Sequence, residues 1–226
     1  RGRTMKIRKL LAMAIATTVI DSVFVGCGSS TTEKPEGEDT AKTEAMYKAF
    51  QKLWTNIANK FKDYGERLIF EGYNETRSAE NGWSSIDDDQ VAITKIAQTY
   101  VDAVRATGSN NAVRYLMVST YAAGLGMESK NFKMPNDDAS HLILSVHSYS
   151  PQSFCFPGGK KEFNETDLDK SFDTDFDFLR KNYLSKGIGV IMGEMGAVDK
   201  GNDDERVKYA NAVIKKCAKY GIIPVV

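Results

Sequence analysis

The strand-forming segments of this chain are apolar runs rather than alternations. "RLIFEGYN" (67–74), "AVRYLMVSTYA" (112–122), "HLILSVHSY" (141–149), "IGVIMGEMGA" (188–197) and "IIPVV" (222–226) lack the regular polar second residue that a sheet with one wet face needs. Between them lie helical patterns. "YKAFQKLWTNIANKFKDYG" sets Phe50, Leu53, Trp54, Ile57 and Phe61 at three- and four-residue steps and closes at Gly65. "DDDQVAITKIAQTYVDAVRATG" opens on acids and is followed by Gly108, which suits both ends of a helix dipole. "FDTDFDFLRKNYLSKG" and "NDDERVKYANAVIKKCAKYG" are two more helices. Apolar strands alternating with helices predict an α/β protein whose parallel sheet is covered on both faces. A doubly wound sheet commonly carries G-x-G-x-x-G after an early strand, and none occurs here, so the expected form is a (β/α)8 barrel. Eight strands close such a barrel, and the sequence supplies about five, so the barrel is expected to be incomplete.

The 226 residues suit one domain. Thirty basic and thirty acidic side chains leave no net field, so nothing argues for nucleic acid or for attraction to an anionic membrane surface. Aromatic residues at 10% fit a packed core or a sugar-stacking cleft equally well.

Residues 1–26 have the form of an export signal. "MKIRKLLAMAIATTVIDSVFVGC" runs from Met5 through the basic Lys6, Arg8 and Lys9 into an apolar stretch broken by Thr17, Thr18 and Asp21. That stretch is short for a membrane span. Its end, "FVGC", looks like a bacterial lipobox, which makes Cys27 the expected lipid-modified residue and the outer leaflet of a membrane the expected partner. Residues 27–44 are Ser, Thr, Gly and charge without apolar periodicity, and are expected to be a disordered tether before a domain at 45–226. Export permits a disulfide, and Cys155 and Cys217 are then the two cysteines left to form one; their spacing does not decide whether they do.

Barrels of this type keep their reacting groups at the C-terminal ends of strands. The polar residues predicted there are Asn74 and Glu75, then His147 and Tyr149, then Glu194 inside "GVIMGEMGA". A carboxylate in so apolar a run must be paired, titrated upward or functional. Two glutamates at separate strand ends suit glycosidic bond hydrolysis, one protonating the leaving oxygen and the other attacking the anomeric carbon. His147 can orient or protonate in that cleft, or be a strand-end histidine satisfied by a neighbour. Tyr149 can hydrogen-bond the nucleophile. His141 belongs to the opposite, non-catalytic face. A second "NET" at 164–166 follows no strand and is expected to be a loop. Two histidines without H-x-x-x-H or C-x-x-C spacing give a metal site little support, and no cofactor is expected.

The blocks "WTNIANKFKDYGERLIFEGYNETR", "VDAVRATGSNNAVRYLMVSTYAA", "FKMPNDD", "SVHSYSPQSF" and "GVIMGEMGAVDKGNDDER", in this order, resemble the second half of the catalytic domain of glycoside hydrolase family 5, in the branch of bacterial endo-β-1,4-glucanases. The resemblance covers about residues 45–226. It implies a retaining β-1,4-glucan hydrolase on a (β/α)8 barrel, with a β-glucan polysaccharide or oligosaccharide as substrate. Carried over residue by residue, Glu75 matches the acid/base and Asn74 the residue that binds the sugar 2-hydroxyl. His147 and Tyr149 match the family's H-x-Y, and Glu194 its nucleophile. Thr76 stands where the family often has proline. The family's first three strands, with their arginine and histidine, and its last strand, with its tryptophan, have no counterpart here, and the chain opens on "RGRT". A partial or truncated reading frame is therefore expected, and a catalytically inactive surface lipoprotein with weak or no glycan binding is the alternative function. An unrelated solute-binding lipoprotein would need two lobes, and the sequence shows one domain.

Overall fold

The computed structural model describes residues 36–79, 81–85, 87–126 and 130–225. The export signal, Cys27 and the first part of the tether lie outside these residues. Helix α1 (Glu36–Phe61) is followed by β1 (Phe70–Glu71), α2 (Asp87–Arg105), β2 (Leu116–Ser119), β3 (Leu142–Ser148), the short α3 (Gln152–Cys155), α4 (Glu165–Asn182), β4 (Gly189–Met195), α5 (Asp203–Tyr220) and β5 (Ile223–Pro224). The five strands form one sheet in the order β1-β2-β3-β4-β5, and every pairing is parallel. This is the α/β arc of an incomplete (β/α)8 barrel expected from the sequence.

The strand register divides the residues between two faces. Leu116, Val118, Leu144, Val146, Val190 and Met192 are buried in the main core, together with Tyr100, Val104, Phe172, Phe176, Tyr209 and Val213 of α2, α4 and α5. Each such aliphatic or aromatic burial contributes about 1.5–3 kcal/mol. The alternate residues Met117, Ile143, Ser145 and Ile191 lie on the concave face, and Ile223 on the edge strand β5 is exposed. Between Val146 and His147 the register slips: Val146 pairs with Met192, but His147 pairs with Glu194, leaving Gly193 as an unpaired bulge residue. A Cβ on Gly193 would come 3.3 Å from His147 Nε2 and 3.2 Å from Ser145 Oγ, so a larger residue would crowd both side chains.

Several boundaries differ from the sequence expectation. Helix α1 begins at Glu36 and takes in residues 36–44 of the expected tether, where "EGEDTAKTEA" is rich in helix-favouring Ala, Glu and Lys and Glu44 pairs with Lys95 at 2.9 Å. It ends at Phe61, four residues before Gly65. Strand β1 is only two residues long because it is an edge, laddered on β2 alone. The second "NET" is the start of a helix rather than a loop: Asn164 caps α4, its side chain accepting from Thr166 N at 2.9 Å and Asp167 N at 3.3 Å. Cys155 and Cys217 are buried free thiols.

The N-terminal rim of the sheet is closed by arginine. Arg114, 3% exposed, donates Nε to Asn111 Oδ1, Nη1 to the carbonyls of Gly65 and Leu68, and Nη2 to those of Phe61 and Tyr64. Phe61 O is the last carbonyl of α1 and the other three lie in the turn that follows it, and the fork uses all five guanidinium N–H groups. Arg105 grips Asp137 bidentately at 2.7 and 3.0 Å and gives Nη1 to the carbonyls of Asn111 and Arg114. Burial works against ionisation of Asp137, but Arg105 and the N–H groups of His141 and Ala139 outweigh it and hold the carboxyl below its usual range. His141 stacks on Tyr115 here, on the face opposite to the reacting groups, as expected.

Candidate active site

At the C-terminal rim the chain leaves β1 without leaving the sheet. Gly72 N donates to Met117 O at 3.1 Å, and the Tyr73 hydroxyl donates to Ser119 O at 2.7 Å. From the helix side, Trp54 Nε1 donates to Gly72 O at 2.9 Å, and Trp54 packs edge-on against Tyr100. These bonds hold the backbone that presents Asn74 and Glu75. Asn74 is exposed at the rim, whereas Glu75 is half-buried.

The structure brings Glu75, His147 and Glu194 together. One donor atom from each lies within 4.8 Å of the others. His147 Nδ1, on a side chain only 4% exposed, is 3.0 Å from Glu75 Oε1 and 3.6 Å from Glu194 Oε2, so it hydrogen-bonds the first and faces the second. The Tyr149 hydroxyl donates to Glu194 Oε2 at 2.7 Å. Burial first, and then Glu194, push the Tyr149 phenol up to about 12, which keeps it a proton donor at any working pH. Five sequence-predicted residues therefore share one rim, four of them in one hydrogen-bonded and ionic cluster. The three donor atoms form a set that can hold a cation, although the motif spacing in the sequence gave a metal little support.

Two participants were not anticipated. Glu71 lies on β1, one layer beneath the cluster, where Ser145 Oγ donates to its Oε1 at 2.6 Å. Burial pushes the Glu71 carboxyl up and Glu194 adds repulsion, while Ser145 and His147 act the other way. Its signal was present in "LIFEGY", a carboxylate in an apolar run, the same anomaly that singled out Glu194. Arg77 places Nη1 3.9 Å from Glu75 Oε2 and its guanidinium 3.8 Å from the centre of the Trp83 ring.

The arrangement has the requirements of carboxylate-pair chemistry. One carboxyl is shielded beside an imidazole, a second is held by a phenol, and both face the same solvent-open rim.

Residues 29–225 match the family model described as cellulase, glycosyl hydrolase family 5. Endoglucanase B of Clostridium cellulovorans is 40% identical over 191 residues, covering 80% of this chain and 43% of the relative. Endoglucanase A of Ruminococcus albus is 34% identical over 215 residues, covering 91% of this chain and 58% of the relative. The chain thus spans about half the length of these relatives. Among solved structures, a broad-specificity endoglucanase from Ruminococcus champanellensis with bound cellotriose superposes with a TM-score of 0.76 at 35% identity, covering 81% of this chain and 55% of that one. A lichenase variant from Caldicellulosiruptor sp. F32 in complex with cellotetraose gives 0.75 at 34% identity, covering 80% and 54%. With a family model spanning all the described residues and relatives agreeing in both sequence and backbone, this chain belongs to glycosyl hydrolase family 5.

Proposed function

We propose that this chain carries the reacting carboxylates of a retaining hydrolase of β-1,4-linked glucans. The observation that supports this best is the separation of Glu75 and Glu194, whose nearest grouped oxygens lie within 4.8 Å. Retaining enzymes hold their carboxyl groups about 5–5.5 Å apart, and inverting enzymes about 6.5–9.5 Å to admit a water between them.

In this reading Glu194 attacks the anomeric carbon and forms an ester as the bond to the leaving oxygen breaks. Glu75 delivers its proton to that oxygen, and the leaving sugar departs with its hydroxyl restored. Glu75, now ionised, takes a proton from water, and the hydroxide displaces Glu194 from the sugar. Tyr149 fixes the attacking oxygen of Glu194, and His147 orients both carboxyls through Nδ1. Asn74, exposed beside Glu75, is the donor to the sugar 2-hydroxyl. β-Glucans of the cellulose class are the substrate proposed, in keeping with the endoglucanase names of the relatives.

Release of reducing ends from soluble mixed-linkage β-glucan tests the reading. Glu194→Gln and Glu75→Gln should each lower it by about a thousandfold or more while the folded circular dichroism spectrum is kept. A folded parent that binds cellotetraose without cleaving it would replace this reading with that of a glycan-binding surface protein. The lipobox-like "FVGC" supports export and anchoring of the chain to the outer leaflet through Cys27. Incorporation of labelled palmitate into the expressed chain checks that part.

A further inference from the structure

The C-terminal rim gathers carboxyl groups around one imidazole. Glu75 and Glu194 flank His147, and Glu71, one layer beneath, lies close enough to interact with both His147 and Glu194. Arg77 answers them from one side, 3.9 Å from Glu75 Oε2. Glu75 Oε1 and Glu194 Oε2 both face His147 Nδ1, and one donor atom from each of the three residues lies within 4.8 Å of the others. Among the described residues no other three His, Cys, Asp or Glu side chains group in this way.

The spacing fits a metal ion. Around a tetrahedral zinc ion, with bonds of about 2.0–2.2 Å, neighbouring donor atoms stand roughly 3.3–3.6 Å apart. His147 Nδ1 is 3.0 Å from Glu75 Oε1 and 3.6 Å from Glu194 Oε2. With its ring proton on Nε2, His147 turns the Nδ1 lone pair toward both carboxylates. The donors also differ in freedom. The His147 ring is nearly buried on β3, whereas the Glu75 and Glu194 side chains are 20% and 38% exposed and can rotate onto an ion. The same exposure leaves the remaining coordination position to water. The Tyr149 hydroxyl, bonded to Glu194 Oε2 at 2.7 Å, is the outer group that orients a ligand carboxylate. One imidazole and two carboxylates suit zinc better than magnesium or calcium, which take shells of oxygen alone.

We infer that Glu75, His147 and Glu194 form a binding site for one zinc ion, which closes the catalytic site reversibly. The closure rests on the reading of Glu75 and Glu194 as the reacting pair, whereas the metal site does not. Zinc bound here occupies the lone pairs with which Glu194 attacks and Glu75 carries its proton, so hydrolysis and metal binding exclude one another.

Calorimetric titration of the full chain with zinc chloride tests the site. The chain carries Cys27→Ser, because Cys155 and Cys217 are buried and Cys27 is the remaining thiol. One equivalent of zinc should bind, and magnesium chloride should give no saturable heat. Glu75→Gln, Glu194→Gln and His147→Ala should each weaken zinc binding by about tenfold or more. His141→Ala, at the opposite rim, should change it by about twofold at most. The two glutamine variants keep the side-chain shape, so they carry the test if His147→Ala does not fold. In the parent, zinc should suppress release of reducing ends and EDTA should restore it. Absence of saturable zinc binding, binding that survives both glutamine variants, loss of binding in His141→Ala, or equal binding of magnesium overturns the site. Zinc bound through these residues without loss of hydrolysis overturns the closure. If the chain hydrolyses no glucan, the hydrolase reading fails by itself, and the titration decides the metal site alone.

Discussion

At the N-terminal rim every N–H of Arg114 has a partner, and Asp137 accepts two guanidinium bonds and two backbone N–H groups. At the C-terminal rim the Glu194 side chain is 38% exposed, and Glu75 stands 3.9 Å from its nearest cation, Arg77. Both ends of the sheet therefore collect charge, but one end consumes its bonding capacity internally and the other leaves it available. In barrel proteins the first pattern belongs to stability and the second to chemistry. The difference is one of completeness: a saturated group cannot recruit a substrate, and an unsaturated one contributes little to folding.

The strongest way to break this contrast is to exchange the roles. Arg114→Leu should destabilise the chain by about 3 kcal/mol or more, because it takes five hydrogen bonds from four carbonyls and Asn111 Oδ1 at once, whereas Glu194→Gln should shift the denaturation midpoint very little. A large loss of stability from Glu194→Gln would mean that the open rim is structural too. An intermediate effect is expected from Tyr149→Phe. Losing the donor to Glu194 should lower kcat by roughly one to two powers of ten, since the carboxylate loses the bond that fixes its attacking oxygen. The smallest effect is the pH dependence at the saturated rim. Asp137 is depressed in the folded state, so its stabilisation is present above the unfolded value of about 3.9 and is lost as pH falls through the lower folded value. Urea titrations of parent and Asp137→Asn should therefore differ at pH 6 and converge as the pH drops below about 4.

The open rim was far more legible in the sequence than the closed one. Glu75, His147, Tyr149 and Glu194 each interrupt or end an apolar run, and a polar residue in such a place announces itself. The Arg114 network gave no comparable signal, because its partners are mostly backbone carbonyls, which every residue possesses. The places of the strands followed from the apolar runs, but the length of β1 did not, since a sequence does not say which strand lies at an edge. Asn164 shows the limit of short motifs from the other side. It has the same three letters as Asn74, yet its oxygen serves two helix N–H groups.

The bulge at Gly193 carries a consequence for how this strand tolerates insertion and deletion. Side chains on a strand take turns, so each residue's face depends on whether it is an odd or an even step from the first. Counted from Val190 in an unbroken ladder, Glu194 falls in phase with Val190 and Met192, which point into the core beneath the helices. The one unpaired glycine reverses that parity and turns Glu194 to the side of His147. Loss of the Gly193 codon would merely straighten the ladder and leave Glu194 opposite His147, whereas one extra residue paired in register after Met192 would leave Glu75, His147, Tyr149 and Glu194 all present in the sequence and still send one of the carboxylates to the wrong side of the sheet.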